Sequence, residues 1–175
     1  MELLLYVLLG ILVIIIILAL IAPKSYDVKR SITIDRPVHE TFRYLKMMKN
    51  QDHWSPWKKK DPNMTQTFSG IDGEIGFVSR WEGNKDVGVG EQEIKNIVEN
   101  TVIESELRFY KPWKSQSDAY LKVASVDNGK TEVIWGFSGK NKFPASIFML
   151  FFNMDKTVGK DFEEGLDGLK SILEK

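Results

Sequence analysis

The uncharged, apolar run near the N-terminus constrains the architecture more than any other feature of this sequence. Residues 3–22, LLLYVLLGILVIIIILALIA, contain no charged side chain. At about 1.5 Å per helical residue, such a run reaches about 30 Å, which is the thickness of the hydrocarbon core of a bilayer. The run therefore predicts a single transmembrane helix, with residues 1–23 as a membrane anchor and residues 24–175 as one folded domain.

A cleaved signal peptide is the alternative interpretation of the same run. The start MELLLY contains no Lys or Arg, and the run is longer than the usual hydrophobic region of about 7 to 15 residues in a signal peptide. Cleavage after Ala22 would also place Leu20 at the third position before the cut, where a small residue is preferred. The sequence therefore favours an uncleaved anchor.

The charges beside the run predict its orientation. Lys24, Lys29 and Arg30 follow it, whereas Glu2 is the charged side chain that precedes it. The positive-inside rule therefore predicts that the domain lies in the cytoplasm. If Lys29 and Arg30 belong to a folded strand, they count less as topology signals, and the opposite orientation stays open.

Composition excludes several classes of function. The 24 Lys and Arg residues balance the 24 Asp and Glu residues, so the chain lacks the basic field that nucleic-acid binding generally needs. It contains no cysteine, which removes disulfides, thiolate nucleophiles and zinc–thiolate sites. Its two histidines, His39 and His53, do not have the spacing of metal ligands. We therefore expect no metal, no cofactor and no nucleic-acid partner.

The hydrophobic pattern predicts a strand, a short helix and then a sheet. SYDVKRSITIDRP alternates apolar and polar residues, which is typical of a half-buried strand. PVHETFRYLKMMKN has Val38, Phe42 and Leu45 at helical spacing after Pro37. Residues 62–139 contain about five runs rich in Val, Ile, Thr and aromatic residues, separated by turn signals such as SGIDG and VDNGK. These runs predict an antiparallel meander.

The last segment predicts a long amphipathic helix. Apolar residues recur every three or four positions through residues 144–175. Gly159, Gly165 and Gly168 interrupt this pattern, and each costs about 1 kcal/mol relative to alanine. The glycines therefore indicate either close approach of the sheet or room left for a ligand. A helix broken into two pieces near Gly159 is the alternative.

Several stretches resemble a known superfamily, and together they span residues 28–173: VKRSITIDRPVHETFRYL, WSPWKKKDPN, FSGIDGEIGFVSRWEG, VGVGEQEI, YKPW, TEVIWGFSG and FFNMDKTVGKDFEEGLDGLKSIL. With them the chain resembles the SRPBCC superfamily (START and Bet v 1 types), and in particular its bacterial polyketide cyclase/dehydrase and lipid transport branch. The resemblance implies an α+β helix-grip fold, in which a curved antiparallel sheet wraps a long C-terminal helix. It also implies a cavity for an apolar ligand between the two.

The resemblance further implies which residues line that cavity. Two short helices after the first strand would close one end, which would put Trp54 and Trp57 near the mouth. Inward-facing aromatic side chains would form the wall, and the expected members are Trp81, Phe109, Trp135, Phe137, Phe148, Phe152 and Phe162. The alternative is that these side chains fill the interior completely.

Three ionisable residues are candidates for a polar group inside the cavity. Glu91 and Glu93 share the strand parity of Val87 and Val89, so one carboxylate could point inward. His53 lies beside Asp52 and Ser55, which resembles a catalytic set on paper, but neighbouring side chains point in different directions. For the glutamates the alternative is a solvent-facing position, and for His53 it is capping or hydrogen bonding at the corner between helix and loop. No catalytic constellation is evident.

Three functions fit these observations. The favoured one is membrane-anchored binding of a hydrophobic small molecule such as a lipid, for example for its transport or presentation. The second is a polyketide cyclase or dehydrase type of enzyme that uses the same cavity. The third is a protein-interaction or chaperone-like module with a closed core. Fold alone does not choose among them.

Overall fold

The computed structural model describes residues 2–175, and its first element is the apolar helix α1, Glu2–Ile21. None of the residues of α1 is buried. By length and composition α1 could cross a membrane, which is a property that transmembrane helices share with signal sequences. Ala22 is buried just after α1. Because strand β1 begins at Ser25, only three residues separate α1 from the sheet.

Four short helical segments follow β1, which covers Ser25–Ile34. Phe42 and Leu45 are buried on the inner face of the first segment, as their helical spacing predicts. Pro56 begins the last one, because its fixed φ suits the first turn of a helix. The segments are α2 (Val38–Lys46), a single 3-10 turn (Met48–Asn50), α3 (Gln51–Trp54) and α4 (Pro56–Lys60).

Six further strands complete one seven-stranded antiparallel sheet in the order β1-β7-β6-β5-β4-β3-β2. The sequence pattern predicts five strands after the short helices, whereas the structure has six. The difference arises because the segment before β4 forms two short strands of five residues each. The predicted curved antiparallel sheet is confirmed. The strands are β2 (Thr65–Ser69), β3 (Val78–Glu82), β4 (Val89–Val98), β5 (Val102–Lys111), β6 (Ser115–Val126) and β7 (Lys130–Lys140).

The predicted long C-terminal helix is confirmed, but it begins later than the sequence predicts, because the first part of the segment forms a separate short helix. Helix α5 covers Ala145–Phe148, and helix α6 covers Met154–Leu173. The break lies at residues 149–153, and not among the glycines, because Asn153 has an extended backbone and ends the preceding turn. Its side-chain oxygen accepts a hydrogen bond from the N–H of Lys156 at 2.8 Å, which caps α6.

Helix α6 lies against the inner face of the sheet, and two of its glycines mark the closest approach. Gly159 contacts the guanidinium group of Arg30 on β1, and a Cβ on Gly165 would lie 2.6 Å from the ring of Trp135. A larger residue at either position would collide with the sheet. The glycines therefore serve close packing.

The apolar core fills one end of the space between the sheet and α6. Ile103 on β5 pairs with Leu121 on β6, and both are buried at this end. The buried residues of α6 recur at spacings of three and four, as predicted. The largest fully buried apolar side chains are Trp54, Phe42, Phe77, Ile34, Leu45, Ile94, Leu166 and Leu169.

Candidate ligand-binding cavity

A cavity of about 510 Å³ occupies the other end of the space between the sheet and α6. Its sheet wall comes from alternate positions on neighbouring strands, because side chains of one strand parity share a face. Leu107 and Phe109 of β5, Ala119 of β6, and Trp135 and Phe137 of β7 line this wall. The same alternation that buries the core therefore also builds the cavity.

The helical wall comes from one stripe of α6 and from α4. Met154, Val158 and Phe162 of α6 lie four residues apart and line the cavity. Phe162 stacks on Trp135 with ring centroids 4.1 Å apart. Trp57 of α4 meets Trp135 edge-on at 5.6 Å. These aromatic contacts join helix, sheet and α4 into one apolar surface.

Ion pairs fasten α4 to α6 beside this wall. The Nζ of Lys60 lies 2.6 Å from the carboxylate of Asp161, and the Nζ of Lys59 lies 3.1 Å from that of Glu164. The two lysines therefore neutralise acidic residues of α6. These two ion pairs connect α4 to α6 at the side of the cavity.

Hydroxyl groups provide a polar point on the cavity wall. Tyr26 of β1 and Ser117 of β6 line the cavity, and their oxygens share a hydrogen bond of 2.6 Å. Burial raises the pKa of Tyr26 above 10.0, although the hydrogen bond with Ser117 partly opposes this shift and the charge of Asp118 adds to it. The phenol is therefore neutral at physiological pH, and it can donate or accept a hydrogen bond there.

The mouth of the cavity lies between three loops. Every exposed residue of the lining belongs to the β3–β4 loop, to the β5–β6 turn with Lys111 and Ser115 on either side of it, or to the loop between α5 and α6. Trp113 in the β5–β6 turn is 80% exposed, and Phe152 in the α5–α6 loop is 45% exposed. The short helices α3 and α4, by contrast, contribute half-buried residues to a side wall. The mouth is therefore not where the resemblance places it.

Most of the aromatic residues expected at the cavity do line it: Trp57, Trp81, Phe109, Trp135, Phe137, Phe152 and Phe162. Trp54 does not. It is 1% exposed and packs edge-on against Trp135 at 4.8 Å, so it belongs to the core and not to the mouth. Phe148 is also outside the lining, because α5 is a separate helix that leaves this side chain 69% exposed. Both expectations are corrected accordingly.

The three ionisable residues named as candidates for a polar group in the cavity lie outside it. Glu91 and Glu93 project from the outer face of β4 and bind the guanidinium group of Arg108 at 2.6 Å and 2.7 Å. His53 is exposed on α3, with its Nδ1 3.4 Å from the hydroxyl of Tyr44. Of the alternatives that the sequence leaves open for these residues, the structure therefore has the one outside the cavity.

A backbone bend before β4 explains why the glutamates face outward. Gly88 has φ +75°, and the pairing of β4 with β5 shifts register between Val89 and Gly90. The alternation of inward and outward side chains that begins at Val87 therefore does not continue past the bend. The VGVG pattern is consistent with such a bend. After the bend Gln92 lines the cavity. Sequence reasoning missed Gln92, although it alternates with the two glutamates.

The outer cluster around Arg108 shifts the pKa of both glutamates. Hydrogen bonds from Arg108 and then Lys95 lower the pKa of Glu93. Burial by itself would raise the pKa of Glu91, but hydrogen bonds from Arg108 and Tyr110 outweigh it, and the net shift is downward. Both carboxylates are therefore ionised partners of an arginine, which is a structural role.

Residues 2–175 contain no group of three or more His, Cys, Asp or Glu side chains that could hold a metal ion. The charged residues of the cavity lining are Asp52, Lys58, Lys85, Asp86 and Lys111. Asp52 accepts a hydrogen bond from Gln66 at 2.8 Å, and Lys58 donates to the carbonyl of Met64 at 3.3 Å. Lys85, Asp86 and Lys111 are exposed at the mouth.

Comparison with known proteins relates the chain to others by fold. No protein-family model matches it, and no curated protein matches it in sequence. The solution structure of a protein from Thermobifida fusca has 16% identity and a TM-score of 0.61, covering 84% of this chain and 92% of that one. The Aha1 dimer from Colwellia psychrerythraea has 16% identity and a TM-score of 0.55, with coverages of 85% and 96%. Ara h 8.0201 has 13% identity and a TM-score of 0.53, with coverages of 85% and 97%.

The domain therefore has the helix-grip fold of Bet v 1-like and Aha1-like proteins. This α+β architecture confirms the fold that the resemblance implies. At these identities the comparison defines the fold, and function has to be argued from the cavity.

Proposed function

We propose that this protein is held in a membrane by α1 and binds an apolar small molecule, of the lipid, isoprenoid or polyketide type, in the cavity between the sheet and α6. The observation that carries the proposal is a cavity of about 510 Å³ with aromatic and aliphatic walls on both sides. This volume lies within the range of about 300 to 1,000 Å³ that small-molecule sites occupy.

The chemistry of the wall supports an apolar ligand with little polarity. Burial of apolar ligand surface contributes about 25 cal/mol per Å² removed from water. Leu107, Phe109 and Phe162 offer such surface, while the pair formed by Tyr26 and Ser117 offers one hydroxyl site for a polar end. The mechanism is burial of the apolar part of the ligand, with polar groups of the lining to orient its polar end.

The anchor supports a membrane as the source or destination of that ligand. The apolar helix α1 ends three residues before β1, so the domain lies at the bilayer surface when α1 spans it. Orientation remains a prediction from the charges beside α1, which favour the cytoplasmic side. Mass spectrometry of the mature protein would show whether α1 is retained as an anchor or removed as a signal peptide.

The two other functions have less support from the structure. The three residues named for the enzyme hypothesis, Glu91, Glu93 and His53, lie outside the cavity. Asp52 and Lys58 do line it, but Asp52 accepts a hydrogen bond from Gln66 and Lys58 donates to the carbonyl of Met64. The interaction hypothesis assumes a closed core, whereas one end of the interior is open. Ligand binding is the function that uses the observed cavity.

Photo-crosslinking of the full chain in lipid nanodiscs tests the proposal. A fatty acid with a diazirine on its acyl chain is added, and crosslinked peptides are mapped by mass spectrometry. We expect crosslinks to the inward-facing residues of β5 and β7 and to α6. Lipids extracted from the purified protein should include a molecule that competes with the probe.

Two substitutions on β6 serve as a matched pair. Ala119 is buried and points into the cavity between Ser105 and Phe137 of the neighbouring strands. Ala119→Phe should therefore reduce crosslinking several-fold. Lys122→Phe adds the same ring on the exposed outer face and should leave crosslinking unchanged. Crosslinks that avoid the cavity, or that persist in Ala119→Phe, would contradict the proposal.

A further inference from the structure

Four exposed aromatic side chains lie on the β5–β6 turn, the β7–α5 connection, α5 and the loop after α5. Trp113 is 80% exposed, Phe143 64%, Phe148 69% and Phe151 81%. We call this set the aromatic rim. Outside α1, every Phe or Trp more than half exposed among residues 2–175 belongs to it. Large exposed apolar groups concentrated at one place mark a binding surface more often than a chance arrangement.

The aromatic rim lies at the end of the sheet where α1 joins the domain. Ser25 at the start of β1 pairs with Lys140 at the end of β7, and Asp118 near the start of β6 pairs with Ser138 of β7. The β5–β6 turn, the β7–α5 connection and the end of α1 therefore share one end of the molecule. Helix α5 also lies beside α1.

Hydrogen bonds hold this arrangement in place. The backbone N–H of Asn141 donates to the carbonyl of Lys24 at 2.9 Å, and its side-chain amide donates to the carbonyl of Pro23 at 3.1 Å. The residues that follow α1 are thus tied to the segment that leads into Phe143. These bonds keep the part of the rim that includes Phe143 on the same side of the domain as the end of α1.

Lysines are interleaved with the aromatic residues of the rim. Lys111 and Lys114 flank the Pro112–Trp113 pair, and Lys140 and Lys142 precede Phe143. Aromatic rings at the headgroup level, with lysines that extend toward the aqueous side, are typical of a surface in the membrane interface. Lysines near an anionic leaflet also add electrostatic attraction.

We infer that the aromatic rim inserts into the interface of the bilayer that α1 spans, so that the cavity mouth opens onto lipid and not onto water. This inference rests on the proposed anchoring by α1. It adds the route of the ligand, because an apolar molecule would pass between the bilayer and the cavity, between the three mouth loops, without crossing water. The partner that the rim binds is thus the lipid surface itself.

The absence of cysteine allows single labelling sites to be introduced in the full chain. Phe151→Cys and Trp113→Cys place an NBD fluorophore on the rim. Glu99→Cys is the matched control, because Glu99 is exposed in the β4–β5 turn at the opposite end of the sheet. Each protein is reconstituted into phosphatidylcholine and phosphatidylglycerol liposomes with or without nitroxide-labelled lipids.

We expect the nitroxide lipids to quench the fluorophores at positions 151 and 113 several-fold, and the fluorophore at position 99 little. Equal quenching at the three positions would overturn the inference. Fluorophores on the rim whose emission is blue-shifted but not quenched would indicate that protein covers the rim, for example a second copy of the chain. That result would also overturn the inference.

Native tryptophan provides a measurement without a label. Brominated lipids should quench part of the emission of the unmodified chain, and Trp113→Phe should remove most of that quenched part. Emission quenched equally in both proteins would contradict insertion of the rim.

Crosslinking in the same liposomes separates this inference from the proposed function. An unquenched rim with crosslinks in the cavity would reject rim insertion and leave ligand binding in place. A quenched rim without crosslinks would support insertion and reject ligand binding. A chain that does not float with the liposomes would reject both anchoring and insertion.

Discussion

Gly159 of α6 lies directly against the guanidinium group of Arg30 on β1. The guanidinium is held on both sides, by Asp155 at 2.9 Å and by Glu163 at 2.6 Å. A Cβ on Gly159 would collide with Arg30, which the two carboxylates keep in place. The contact therefore sets how closely the first turns of α6 approach the edge of the sheet.

Gly159→Ala should destabilise the protein although alanine favours helix. The collision should lower the free energy of unfolding by about 1 to 3 kcal/mol, which is the usual cost of overpacking. The gain in helix propensity offsets at most about 1 kcal/mol of this. Urea unfolding of the full chain in detergent micelles, followed by circular dichroism, measures the difference.

The control is the same substitution without the arginine. In an Arg30→Ala background the collision is absent, so Gly159→Ala should be neutral or stabilising. A loss of the same size in both backgrounds would show that Arg30 is not the cause.

Substitutions of Trp54 and Trp57 should have different consequences. Trp54 is 1% exposed, so Trp54→Ala should lower the free energy of unfolding by about 3 to 5 kcal/mol. Trp57 is half-buried and lines the cavity. Trp57→Ala should therefore cost less stability and change crosslinking by the apolar probe.

Thermal unfolding and crosslinking of the two variants are compared side by side. Equal losses of stability, or a change of crosslinking in Trp54→Ala at unchanged stability, would contradict these assignments.

The ion pairs of Arg108 should make the free energy of unfolding depend on pH in the acidic range. The folded-state pKa of Glu93 is lowered, chiefly by hydrogen bonds from Arg108, and that of Glu91 is lowered despite its burial. A lowered pKa stabilises the fold above the ordinary value of 4.5, and this contribution is lost as pH falls through the folded-state pKa. Arg108→Gln should therefore destabilise the protein at pH 7 and have a smaller effect below about pH 4.

The free energy of unfolding is measured across this pH range for Arg108→Gln and for Arg43→Gln. Arg43 is exposed on α2, so its substitution removes the same charge without breaking the cluster. Parallel pH curves for the native chain and Arg108→Gln would contradict the prediction.

Tyr26 and Ser117 should act as a pair. Either Tyr26→Phe or Ser117→Ala breaks the bond of 2.6 Å and should cost about 1 to 3 kcal/mol, because a partly or fully buried hydroxyl loses its partner. The double variant should cost less than the sum of the single variants. Additive losses would contradict coupling between the two hydroxyls.

Alkaline pH provides a second test of Tyr26. Burial raises its pKa above 10.0 in the folded state. The associated stability is present below about pH 10 and is lost as pH rises through the folded-state pKa. Tyr26→Phe should therefore reduce the loss of stability above pH 10. Unchanged alkaline unfolding in this variant would indicate that other groups dominate.

Local patterns in the sequence were sufficient for the main elements of the fold. The run of residues 3–22 predicts α1 from composition alone, and the stripe of apolar residues at spacings of three and four predicts α6. Strand alternation places Trp135 and Phe137 on the inner face. These patterns succeed because they depend on periodicity within one element.

Breaks in periodicity were harder to locate. The bend at Gly88 ends the alternation that includes Val87, and the outward position of Glu93 follows from the backbone after the bend. The capping of α6 by Asn153 similarly divides a segment whose apolar residues run on without interruption. A local backbone conformation decides both cases, and the hydrophobic pattern does not record it.

The sequence by itself determined an apolar N-terminal helix, an antiparallel sheet with one apolar face and an amphipathic helix to cover that face. Only the tertiary structure decided that Trp54 lies in the core while Trp57 faces the cavity, and that Trp113 and Phe151 lie at the same end of the sheet. These two rim residues are far apart in sequence. They are brought to one end of the sheet by the pairing register of β1, β6 and β7 and by the turn between α5 and α6, and such long-range pairing leaves no periodic signal in the chain.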